Sequence, residues 1–80
     1  MTILIRNRPF MFSVFDRDGE FYLTAVAGGV ALYDLTIKLT KEEVLAFQQD
    51  ENKAIATAKD LITRTDAYQD RLVTPAIDPE

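Results

Sequence analysis

The chain has no cysteine and no histidine, and Ser13 is its one serine. Lack of cysteine excludes disulfides, thiolate nucleophiles and cysteine zinc ligands together. Lack of histidine removes the usual general base and the commonest transition-metal ligand. Ser13 falls inside an expected strand with no base to activate it. Basic clusters are missing too: nine Lys and Arg stand against thirteen Asp and Glu, a net charge of −4. That balance argues against a nucleic-acid partner, which needs grouped positive charge. No apolar run approaches the ~20 residues of a membrane span. Residues 1–6 are too short for a signal-peptide core before the polar segment that follows. The expectation is a cytoplasmic protein with no membrane or nucleic-acid partner.

What is present describes one small globular domain. Eighty residues at 48% hydrophobic and 28% charged suit a single domain, residues 1–80. A chain of this length hides only about 60–65% of its unfolded surface, so each contact matters. Charge is uneven. Residues 1–40 hold four acids and four bases, whereas residues 41–80 hold nine acids and five bases. The second half therefore carries the whole net charge. It suits a basic protein partner reached by electrostatic steering, and it also serves solubility alone.

Residues 9–39 organise the chain. The spacing predicts an α+β fold: a three-stranded antiparallel β-meander within residues 1–39, packed on one face by one or two C-terminal helices. Residues 2–5, apolar and β-branched, are open as a fourth, N-terminal strand ahead of the break at Arg8-Pro9. Residues 10–16 alternate as a strand does, with Phe10, Phe12 and Val14 on one face and Met11, Ser13 and Phe15 on the other. Asp18-Gly19 signals a type I′ hairpin, pairing Arg17 with Glu20, Phe15 with Tyr22, Val14 with Leu23 and Phe12 with Ala25. Gly28-Gly29 marks the next turn. A two-residue loop there would bury Asp34 unpaired on the core face, at a cost of several kcal/mol. A bulged loop over Gly28, Gly29 and Val30 restores the parity, placing Leu35 opposite Leu23, Ile37 opposite Phe21, Asp34 opposite Thr24 and Lys38 opposite Glu20.

The helical part is expected over residues 40–72. Thr40-Lys41-Glu42-Glu43 reads as a capping box, with Leu39 and Val44 as its hydrophobic staple and the acids at the positive end of the helix. Asp50-Glu51-Asn52 interrupts near Gln49. It reads as a bend with Asp50 or Asn52 capping a second helix to about residue 64, and one continuous helix is the alternative. Ala54, Ile55, Ala58, Leu61 and Ile62 form an apolar stripe. Thr65-Asp66 can open one more turn carrying Tyr68 and Leu72. Pro75 and Pro79 end helix formation, leaving residues 73–80 as an extended, frayed tail.

No constellation reads as chemistry. Asp16, Asp18 and Glu20 around Gly19 lack the EF-hand spacing, and turn geometry accounts for them. Gly28-Gly29 lacks both phosphate-loop patterns and precedes a strand. Glu42 and Glu43 point in different directions on a helix. No cofactor, metal or enzymatic role is expected. The second sheet face is the more informative feature. With helices over the Phe12, Leu23 and Leu35 side, Met11, Phe15, Tyr22, Val26 and Leu32 remain opposite, rimmed by Arg17, Glu20, Asp34 and Lys38. Such a patch has the composition of a protein interface, unless residues 1–8 or the tail fold over it.

Size, acidity and the runs Tyr22-Leu23-Thr24-Ala25-Val26 and Leu39-Thr40-Lys41-Glu42-Glu43 together resemble the small bacterial immunity proteins of toxin–immunity pairs. Those are short, acidic, often cysteine-free α+β proteins that block a toxin's active site. The resemblance implies a non-enzymatic inhibitor in a one-to-one complex with a cognate toxin. The residues expected to touch it are Met11, Phe15, Tyr22, Val26, Leu32 and Asp34 on the sheet and Glu42, Asp50 and Glu51 on the helical part. The alternative is a small structural or regulatory homodimer using the same patch or an unpaired strand edge.

Overall fold

The computed structural model describes residues 2–8, 11–28 and 33–77. Along the chain they form β1 (Thr2–Arg8), β2 (Phe12–Arg17), β3 (Glu20–Ala27), β4 (Tyr33–Leu39), α1 (Lys41–Gln49), α2 (Glu51–Thr63), a 3₁₀ helix (Thr65–Arg71) and β5 (Leu72–Val73). The fold is α+β. Its sheet has five antiparallel strands in the order β1-β2-β3-β4-β5, where the sequence suggested three or four. The fourth is the N-terminal segment. The fifth joins Leu72, expected in the last helical turn, to Val73, the first residue of the expected tail, both returned to the sheet by the helices.

Local chemistry sets the first hairpin. Asp18 and Gly19 both take positive φ, 56° and 88°, as a type I′ turn demands. The Asp16 carboxylate accepts from the Gly19 amide at 2.9 Å. The turn fixes Arg17 opposite Glu20, Phe15 opposite Tyr22, Val14 opposite Leu23 and Phe12 opposite Ala25, the register read from the sequence.

The second hairpin keeps the expected parity but not the expected register. Leu23 faces Ile37, Phe21 faces Leu39, Thr24 faces Thr36 and Val26 faces Asp34. The last pair before the turn is Ala27 with Tyr33, so residues 28–32 make the connection rather than three residues. Burial of Leu35, Ile37 and Leu39 fixes parity, and a slip of two preserves it. Of the expected bulge, Gly28 has φ 99°, while Gly29 and Val30 lie outside the described residues.

One face of the sheet carries the core. Phe12, Val14, Leu23, Ala25, Ile37 and Leu39 pack with Val44 and Phe47 of α1 and Ala54, Ala58 and Leu61 of α2. The small alanines let α2 approach the strands closely. The Phe10 expected on this face lies outside the described residues. Strand β2 begins at Phe12 rather than Phe10. Met11 belongs to the turn before it, where its amide donates to Arg8 O at 3.0 Å and its carbonyl accepts from Val26 at 2.9 Å.

The helices start and stop on side-chain signals. Thr40 Oγ1 accepts from the Glu43 amide at 3.2 Å, and the Glu43 carboxylate accepts from the Thr40 amide at 2.9 Å. Asp50 ends α1 and caps α2, accepting from the Asn52 amide at 2.9 Å. The helix is therefore bent rather than continuous, because an Asp in extended geometry can serve as both C-cap and N-cap.

Strand β1 closes the helical layer from the side. Arg6 Nε donates to Phe47 O at 2.7 Å and Nη2 to Gln48 O at 3.0 Å. These are carbonyls of the last turn of α1, which have no partner within the helix, and the guanidinium meets the negative helix end. Arg71 does a similar job farther along: it donates to Lys38 O and pairs with the capping-box Glu43. The 3₁₀ helix is thereby tied to the start of α1.

Candidate protein-binding surface

The strand at one end of the sheet offers both backbone and apolar side chains. β1 pairs with β2 alone, so its other edge is unpaired among the described residues. Its register shifts between Leu4 and Arg6, so Ile5 is an inserted bulge residue, and Ile5 packs against the core. The insertion turns Arg6 and Arg8 toward the helices, opposite Val14 and Phe12. Before it, Ile3 and Leu4 remain 54% and 52% exposed. A bulge and flanking arginines blunt the second half of the edge; the first half is left apolar.

Leu4 starts a row across the second sheet face. It stands opposite Phe15, which stands opposite Tyr22, which stands opposite Lys38. The Phe15 and Tyr22 rings are 5.6 Å apart, and the Arg17 guanidinium lies 6.0 Å from the Phe15 centroid. Beside this row Arg17 Nε donates to Thr2 Oγ1 at 3.1 Å, and Lys38 pairs with Glu20. Hydrogen bonding to the Glu20 carboxylate, with its charge, raises the Lys38 pKa above the usual 10.5.

The expected contact residues do not form one patch. Phe15 is wholly buried: Leu4 and Tyr22 flank it and Arg17 lies over it, so it can support a surface but not touch a partner. Met11 packs against the helix-side core, because it sits in a turn and not at an outward strand position. Tyr22 and Val26 are half-buried on the second face, with Asp34 exposed beside Val26. Leu32 lies outside the described residues. Glu42, Asp50 and Glu51 belong to the helical layer across the sheet. Glu42 is exposed in the first turn of α1. Asp50 caps α2. Glu51 is paired with Arg8 at 3.2 Å and Arg6 at 3.8 Å.

Residues 73–77 of the tail also differ from the frayed segment expected, and residues 78–80 lie outside the described residues. Leu72 pairs with Ile37 and Val73 with Thr36. The chain then crosses the second face, where Ile77 bonds to the hydroxyls of Thr24 and Thr36. Two residues of strand carry no readable periodicity, which is why β5 escaped the pattern. Ile3 and Leu4 were missed as contact residues for a different reason. Residues 2–5 read as a strand, but its place at the sheet edge depends on pairing order.

Among the described residues no helix is long and apolar enough to cross a membrane, and no group of three or more His, Cys, Asp or Glu could hold a metal ion. Compared with protein-family models, curated proteins and solved structures, the chain has no match.

Proposed function

We propose that this chain is a protein-binding module without catalytic activity, acting in the cytoplasm as the inhibitor of a cognate bacterial toxin. The observation that carries the binding half is the exposed pair Ile3 and Leu4 on a strand edge that is unpaired among the described residues. An edge strand supplies main-chain hydrogen bonds to a partner segment, and apolar neighbours supply area. The inhibitor half rests on the resemblance to immunity proteins in size and acidity. The excess of acids in residues 41–80 would draw the partner in through long-range attraction. Tyr22, Val26 and Asp34 extend the contact onto the sheet face, and Glu42 and Asp50 are the acids exposed to a basic partner.

The test is growth protection. The product of the adjacent reading frame is induced in a host with this chain, with Leu4→Lys, or with neither. Protection by the native chain and its loss with Leu4→Lys, at unchanged melting temperature, is the expected result. Equal protection by both would remove the edge from the account, and no protection at all would remove the toxin. A second reading, homodimerisation, draws on the same bare edge, since a strand edge can pair with its own copy across a two-fold axis.

A further inference from the structure

The first hairpin decides which way each β1 residue turns its backbone. Arg17 and Glu20 flank a two-residue turn, and residues so placed exchange both main-chain bonds. Bonded and non-bonded pairs alternate along an antiparallel ladder. Residues 11, 13, 15 and 17 therefore bond toward β3, and the Val26 amide does donate to Met11 O at 2.9 Å. Asp16, between Phe15 and Arg17, turns its amide and carbonyl toward β1. Its partner there is Ile3, so Ile3 bonds inward. Thr2 and Leu4, opposite Arg17 and Phe15, turn theirs outward, where no described strand pairs with them. Beyond Leu4 the bulge at Ile5 breaks the alternation.

This short bare segment is complementary to itself. Turned about a two-fold axis beside Ile3, two copies set Thr2 of each against Leu4 of the other. Both pairs match outward groups with outward groups and exchange two bonds each, four in all. Between them Ile3 meets Ile3 in the close, non-bonded position, and this side chain is half exposed in the single chain. Centring the axis on Leu4 instead sets Thr2 against Arg6, whose backbone is turned to β2 opposite Val14, and one bonded pair is left. Charge favours the axis at Ile3 as well. Arg6 and Arg8 then lie away from it, at opposite ends in the two copies, so like charges do not face each other.

We propose that β1 pairs with β1 of a second copy, antiparallel about Ile3, joining two five-stranded sheets into one. The inference rests on the reading above that this edge is the binding surface, but it does not need a toxin. The groups it occupies are those a toxin segment would use. Self-pairing and the complex therefore exclude each other, and self-pairing closes the edge where the chain is concentrated and unoccupied. The pairing is weak. Three residues a side fall far short of the ~800 Å² per partner of a stable interface, which sets the dissociation constant on the order of 0.1–1 mM. The chain is thus a monomer at micromolar concentration and pairs at millimolar concentration.

The test is a series of ¹⁵N spectra of the full chain, from tens of micromolar to about 2 mM. Rising concentration should shift the amide signals of Thr2, Ile3 and Leu4 ahead of the rest, with diffusion slowing toward that of a dimer. Ile3→Lys and Ile3→Glu each set like charges against each other across the axis and should weaken the pairing by about tenfold. An equimolar mixture of the two, one of them labelled, should restore the shifts, because the register puts residue 3 against residue 3. Signals at residues 2–4 of the native chain unmoved at about 2 mM, or a mixture no more associated than either variant alone, overturns the pairing. Should either variant not fold, Leu4→Pro deletes an outward amide that no internal bond uses. It should abolish the concentration dependence, and a dependence that survives it overturns the pairing. Pairing without growth protection would remove the toxin alone, and growth protection without pairing would remove this inference alone.

Discussion

Arg6→Ala should destabilise the fold well beyond what a surface arginine normally contributes. The side chain donates to Phe47 O at 2.7 Å and Gln48 O at 3.0 Å, from a strand to a helix end more than forty residues away. Hydrogen bonds involving a charged group contribute ~1.5–3 kcal/mol, and a cation at a helix C-terminus adds ~0.3–1 kcal/mol. Water can replace the exposed bond to Gln48 but reaches the half-buried one to Phe47 less easily, so the loss is set at ~2–3 kcal/mol. Arg8 is the internal control. It is half exposed and donates to Glu51 at 3.2 Å, a surface pair worth ~0–1 kcal/mol. For a domain of this size each kcal/mol moves the melting temperature by ~4–8 °C. Thermal and urea unfolding followed by circular dichroism should therefore place Arg6→Ala ~10–20 °C below the native chain, with Arg8→Ala only a few degrees below. Arg6→Lys should fall between, since it keeps the charge but loses the fork that reaches two carbonyls. Equal losses at Arg6 and Arg8 would refute the view that β1 is fastened through the end of α1.

Three further outcomes follow from named contacts. Thr40→Ala removes the capping-box acceptor and should cost ~1 kcal/mol in urea unfolding, and a loss below ~0.3 kcal/mol would mean the box contributes nothing. Gly19→Ala meets no atom within 4 Å but must hold φ +88°, so ~1 kcal/mol of strain should appear in unfolding without any change in the folded spectrum. Tyr68 donates to Asp60 at 2.6 Å, and that bond holds the phenol pKa above its usual 10.0. Its stabilisation is present below pH 10 and lost as pH rises through the higher folded value. Asp60 is held below 3.8, chiefly by Arg64 and then by Tyr68, so its contribution is present above that value and lost as pH falls. In an NMR titration of the Tyr68 ring carbon, Asp60→Asn should bring the phenol back toward 10.0; an unmoved midpoint would contradict the assignment.

What could be read from the sequence was what short-range chemistry decides. Asp18-Gly19 fixed one turn and hence six pairs of β2 with β3. Thr40 and Glu43 fixed the start of α1, and Asp50 the break between helices. At the second turn the apolar pattern of Leu35, Ile37 and Leu39 constrained parity only, and parity is blind to a shift of two. The surface was less legible still. Whether Phe15 faces water depends on Leu4, Tyr22 and Arg17, which meet it through pairing across strands. The role of Thr24 and Thr36 depends on Ile77, more than forty residues farther on. Each local signal names a residue's face, and only the assembled sheet says what lies over that face.

The proposed binding edge is tested most directly by light scattering after size exclusion, on the native chain and on Leu4→Lys, each alone and mixed with the product of the adjacent reading frame. A lysine is well tolerated on a strand edge, so both proteins should remain folded. The account predicts that each alone is a monomer of 9.1 kDa, that the native chain shifts to a stable one-to-one complex, and that Leu4→Lys does not. A native chain that is already dimeric and indifferent to the neighbour, with Leu4→Lys monomeric, would assign the edge to self-assembly and contradict the inhibitor.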